Sequence, residues 1–130
     1  MHILRNPPSI APPPPRGNFS HAVEAAANLR WLYISGQSGV RPDGTTPTDF
    51  VGQAEATFDN LRAVLIDAGM EVNDLVKLVV YFLRTEDQAD CSRLRNAFLG
   101  AHKPAQTMLR ISGLAVPGWL IEVEAVAARA

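Results

Sequence analysis

A chain of 130 residues with twelve basic side chains, thirteen acidic ones and a net charge of −1 has the length of one domain, which can bury about two-thirds of its unfolded surface in a single core. Cys91 has no second cysteine to pair with, and His2, His21 and His102 lack the spacing of a structural metal site, so neither disulfide nor metal is expected. No stretch gathers Lys and Arg into a stripe that could neutralise phosphates, which argues against nucleic acid as a partner. The longest apolar run, residues 78–83, is far below the roughly 20 residues of a membrane span. The proline-rich start holds no apolar core of a secretory signal, which places the protein in the cytoplasm.

In chain order, residues 7–15 hold six prolines, a composition that favours polyproline II geometry and cannot join a sheet as a central strand. Residues 1–16 are therefore expected to form an arm, and 17–130 a single domain. A ligand for SH3-like modules is the competing reading of this segment, and a plain arm is favoured in so compact a chain. Two extended stretches, residues 20–26 and 31–37, flank Ala27-Asn28-Leu29-Arg30, where Asn28 suits a turn; this predicts a β-hairpin. After Arg41-Pro42-Asp43-Gly44, apolar residues recur at Ala54, Phe58, Leu61, Leu65 and Ala68, the spacing of one helical face. Thr48 or Asp49 can cap this helix and Gly69 can end it. Residues 75–83 are β-branched, aromatic and, apart from Lys77, apolar on both alternating faces, which predicts a central strand. A second helix is expected from Thr85, whose spacing to Gln88 matches a capping box; it carries Cys91, Leu94 and Phe98 on one face and ends near Gly100. Strands over 105–111 and 120–127 complete the order β-β-α-β-α-β-β.

That order predicts an α+β domain whose two helices cover one face of a sheet. The central strand is apolar on its other face too, so something must bury it. With no third helix available, the economical candidate is an identical neighbour.

Candidates for chemistry come mainly from the strands. In residues 120–127 the apolar Ile121, Val123, Ala125 and Ala127 alternate with Glu122 and Glu124, so both carboxylates point one way, roughly 7 Å apart. One of them could serve proton transfer if partly desolvated, against the blander alternative of a solvated strand face. Ser35-Gly36-Gln37 ends a strand where glycine permits close approach of a ligand, or simply begins a loop. Gln106, Met108 and Arg110 share a face of the penultimate strand; Arg110 could bind an anion, or pair with a glutamate of a neighbouring strand, which is the preferred reading. Cys91, beside Leu94 and Phe98, reads as packing rather than as a nucleophile.

Several segments taken together resemble the reactive-intermediate deaminase (RidA/YjgF) family: Gly17-Asn18-Phe19-Ser20-His21-Ala22-Val23, Leu32-Tyr33-Ile34-Ser35-Gly36-Gln37, the Q-A-x-x-x-F-x-N-L-x-A-V-L-x-x-A-G pattern of residues 53–69, Lys103-Pro104-Ala105-Gln106-Thr107, and residues 121–127. The resemblance implies a chorismate-mutase-like α+β fold, a homotrimer with clefts between subunits, and hydrolysis of reactive enamines and imines to ammonia and a 2-keto acid without a cofactor. It also implies Glu122 as the catalytic, water-activating glutamate, and Phe19, Ser35, Gly36, Gln106 and Met108 as candidate substrate-binding residues. Phe19 stands where many members have tyrosine, and Cys91-Ser92 stands in the region of the family's usual asparagine. Gln106 stands where the family's arginine clamps the substrate carboxylate. A neutral amide cannot make that bidentate, charge-assisted contact. The expected activity is therefore that of an atypical hydrolase or deaminase, weak or inactive on simple 2-imino acids. The alternative is a homotrimer that binds a small ligand without turnover. A ribonuclease fits poorly with the charge.

Overall fold

The computed structural model describes residues 2–13 and 19–130. The expected boundary between arm and domain, Pro14, Pro15 and the Gly17-Asn18 pair of the resemblance lie outside the described residues. Strand β1 (Ile3–Arg5) pairs antiparallel with β2 (Ala22–Glu24) in a small separate sheet. The main sheet holds β3 (Arg30–Gln37), β4 (Leu75–Phe82), β5 (Ala105–Arg110) and β6 (Ile121–Arg129) in the order β3-β6-β4-β5. Helix α1 (Phe50–Asp67) links β3 to β4, and α2 (Gln88–Leu99) supplies the crossover that the parallel pair β4–β5 requires. This is the expected α+β arrangement, a mixed sheet with two helices.

Periodicity explains most of it. From α1, Ala54, Phe58, Leu61 and Leu65 enter the core; from the sheet come Leu78, Val80, Phe82, Ile121, Val123, Ala125 and Ala127. The Phe58 and Phe98 rings stack at 4.9 Å and lock α1 to α2. Each large apolar side chain buried here contributes roughly 1.5–3 kcal/mol relative to exposure. Asp49 caps α1 by accepting from Gly52 N at 2.9 Å, and Gly69 follows its end with φ 68°.

Two local expectations are corrected. Residues 20–26 and 31–37 do not form a hairpin. Ser20 bridges to Ala105 on β5, at the far edge of the sheet from β3. The chain must therefore cross the sheet between β2 and β3, and Asn28, with φ 63°, turns it on the way. β2 pairs instead with β1, a three-residue exposed strand too short to read from sequence. The capping box from Thr85 is also absent. Residues Thr85–Asp87 form a 3-10 turn, and α2 begins at Gln88. The Arg84 guanidinium takes the buried Asp87 carboxylate in a two-pronged contact of 2.7 and 3.0 Å, and this pair sets the helix entry instead.

Candidate functional site

β6 lies in the sheet interior, and its pleat buries Ile121, Val123 and Ala125 under the helices. Glu122 and Glu124 consequently project from the uncovered face, as the alternation predicts. Their surroundings differ. Glu124 is exposed and accepts from the Tyr81 hydroxyl at 2.9 Å; that hydrogen bond, with burial and the two glutamate charges, holds the phenol's pKa above its ordinary value. Glu122 is half-buried, opposite Tyr81 in the ladder.

The β3–β6 register jumps between Ile34↔Ala125 and Gln37↔Val123, so β3 carries one extra residue, a β-bulge at Ser35-Gly36. A Cβ built on Gly36 would overlap the Glu122 carboxylate. A side chain here would make the Glu122 carboxylate swing away, so glycine lets that carboxylate lie directly against the backbone. A shallow cavity of about 310 Å³ opens beside it, lined by Tyr33, Ser35, Lys77, Val79, Glu124 and Val126 but not by Glu122.

Helix α1 holds the bulge and its flanking loops in place. Asn60 Nδ2 donates to Ser38 O and Val40 O at 3.0 and 2.8 Å, just after β3. Gln53 is fully buried: its Nε2 donates to Pro47 O and Gly118 O at 2.9 and 2.8 Å, and its Oε1 accepts from Leu120 N at 2.8 Å, just before β6. One amide thus ties the entry of α1 to the loop that delivers Glu122. Gly39 lies close enough to the Gln53 backbone that a Cβ would meet it at 2.8 Å.

The remaining candidates gather on the opposite face. Gln106 and Met108 pair with Leu78 and Val80, both of which point towards the helices. Met108 Sδ is 4.0 Å from Ser92 Oγ and 3.9 Å from Arg95 Nη1, both on α2. Phe19 comes alongside because its neighbour Ser20 donates N–H to Pro104 O at 3.0 Å and Oγ–H to Lys103 O at 2.7 Å. The Phe19 ring meets His21 edge-on at 6.0 Å. Cys91 is buried, and burial pushes its thiol up to about 12, which keeps it protonated and packed.

Glu122, Ser35 and Gly36 therefore lie on the open face, while Gln106 and Met108 lie on the helix-side face, beside the edge that Phe19 borders. Within one chain these two groups do not face a common volume. Arg110 pairs with Phe82 and shares the helix-side face, whereas both glutamates point the other way; the expected ion pair is not made among the described residues. Gln53 and Asn60 stand in the sequence only as members of the 53–69 pattern, without a role, and Arg95 is not among the candidates. Arg95 had a signal, since it follows Cys91 by four and precedes Phe98 by three, a charge inside the apolar stripe of α2.

Residues 9–129 match the family described as Endoribonuclease L-PSP. The chain is 34% identical over 102 residues to the 2-iminobutanoate/2-iminopropanoate deaminase of Escherichia coli K12, covering 75% of this chain and 79% of that protein. A Rid-family protein of unknown function from Yersinia pestis superposes with TM-score 0.86 at 32% identity over 98% of both chains. Escherichia coli TdcF with bound serine superposes with TM-score 0.72 at 25% identity, over 97% of this chain and 94% of that one. Sequence pattern, fold and relatives agree: the chain belongs to the reactive-intermediate deaminase (RidA/YjgF) family.

Proposed function

We propose that this protein is a hydrolytic deaminase, or a closely related hydrolase, of small reactive enamines or imines, working as a homotrimer with its sites between subunits and with no cofactor. The observation that carries the proposal is the Glu122 carboxylate held against the Gly36 backbone on the sheet face that the helices leave uncovered. A carboxylate placed in this way can take a proton from water as the water oxygen bonds to the imine carbon. Return of that proton to nitrogen gives the amino alcohol, and transfer of its hydroxyl proton to nitrogen lets ammonia leave as the carbonyl forms. The deaminase name of the Escherichia coli relative and the serine bound in TdcF support an amino-acid-like substrate. Because Gln106 and Glu122 lie on opposite faces of one sheet, a substrate touching both needs the two faces to come from neighbouring subunits.

Neutral Gln106 favours a second reading, in which the clefts bind a small ligand without turnover. One assay separates the two: imines and enamines generated in situ by an amino-acid lyase, with keto acid formation followed for the wild-type protein and Glu122→Gln. The amide keeps the side chain's size but removes the base, so turnover should fall about 10²–10⁴-fold while the fold stays intact. Undiminished turnover in Glu122→Gln would overturn the role of this residue, and no turnover above background from any wild-type substrate would favour the binding protein.

A further inference from the structure

Arg95 is 8% exposed, and a guanidinium does not discharge when buried. Its partners are all neutral: Nε and Nη2 donate to Asn96 Oδ1 at 3.1 and 3.0 Å, and Nη1 approaches Met108 Sδ at 3.9 Å. The nearby carboxylates are committed elsewhere, Asp87 to Arg84 at 2.7 Å and Asp90 to Arg93 at 3.0 Å. Among the described residues, no carboxylate lies within ion-pair distance of Arg95. A buried charge without a counter-charge is strongly unfavourable, and buried charges in proteins are ordinarily paired. Burial also lowers the proton affinity of this guanidinium.

The location is specific. Met108 is half-buried on β5, at the sheet edge, and Gln106 lies two residues before it on the same face. A thioether is a weak acceptor on a flexible stem, so it can hold the guanidinium in place and still yield to a stronger acceptor. We propose that Arg95 is the anion-binding residue of this site, gripping the carboxylate of a small acid that enters beside Met108 and Gln106 between α2 and β5. The cation absent from the strand at position 106 is then supplied from the helix. This rests on the functional reading above, and it adds that the substrate is an acid.

The test is calorimetric titration of the full-length protein with 2-oxobutanoate and with its uncharged amide, for the wild type, Arg95→Met, Arg95→Lys and Glu122→Gln. The wild type should bind the acid about ten- to a hundredfold more tightly than the amide, as expected for hydrogen bonds to a charged group. Arg95→Met should erase that preference, Arg95→Lys should retain part of it, and Glu122→Gln should keep it or enlarge it, because that change removes a negative charge from the cleft. Arg95→Met should also unfold at the same or a higher temperature and sediment like the wild type, because it removes a buried charge that has no counter-ion. Persistence of the acid preference in Arg95→Met would overturn the proposal, as would equal binding of acid and amide by the wild type. So would a lower unfolding temperature or a changed oligomer in Arg95→Met, either of which would make Arg95 structural. Loss of turnover in Glu122→Gln bears on the hydrolytic reading alone, so the two can fail separately.

Discussion

We expect position 106 to influence which substrates the protein can turn over. Gln106 brings no charge to its face, where the cations are the exposed Arg110, two residues beyond Met108, and the buried Arg95, whose Nη1 lies 3.9 Å from Met108 Sδ. With no charge at position 106 itself, simple 2-imino acids should be turned over less well by the wild type than by Gln106→Arg. Gln106→Arg would place a planar fork on the edge strand, and its repulsion from Arg95 is relieved only when an anion is bound. We expect kcat/KM for 2-aminoacrylate to rise about ten- to a hundredfold over the wild type in the coupled assay, the worth of a charge-assisted contact realised in the transition state. A rapid wild-type rate that the substitution does not raise would show the charge to be already sufficient. Cys91 gives a prediction on pH. Its thiol is raised by burial from 9.0 to about 12 in the folded chain, so above about pH 9 the unfolded chain gives up a proton that the folded one keeps. Stability should fall as pH rises from about 9 towards 12, with a slope approaching 1.4 kcal/mol per pH unit. Urea midpoints across that range check it, and Cys91→Ala should flatten the slope.

Gln53 shows how an element positions the site from a distance. Its buried amide makes three hydrogen bonds that join α1 to the loops before α1 and before β6. Gln53→Ala leaves two carbonyls and one N–H without their partners and should cost about 2–4 kcal/mol, read as a lower urea midpoint, with turnover falling further as Glu122 loses its fixed approach. Gln53 was legible only as part of a family pattern, since nothing local marks a glutamine on a helix as fully buried. Both helices and β4, β5 and β6 were legible because their side chains repeat at 3.6 or 2 residues, and the alternation of β6 placed both glutamates on the open face. β3 was legible as a strand but its partner was not: it pairs with β6, so that Arg30 lies opposite Arg129, and local patterning carries no record of so distant a neighbour. The bulge at Ser35-Gly36 was visible as a permissive glycine, while its reason, the Glu122 carboxylate, appears only once the strands are adjacent.

At the scale of the whole molecule, the open face presents Tyr33 at 76% exposure and Trp31 at 47% alongside the half-buried Val79 and Val126. An apolar surface of this kind calls for a partner, and we expect sedimentation at micromolar concentration to give one species of three chains. We propose that the clefts are shared between subunits, with Glu122 from one chain and the Gln106 face from its neighbour. The direct measurement is complementation. Glu122→Gln lacks the base, and Gln106→Glu repels an acidic substrate, so each variant alone should be nearly inactive in the coupled assay. Co-expressed in equal amounts, they should form mixed trimers in which about a quarter of the clefts combine two intact halves, restoring activity to roughly that fraction of the wild type. Mixed trimers no more active than the parent variants would place both halves of the site in one chain and contradict the account.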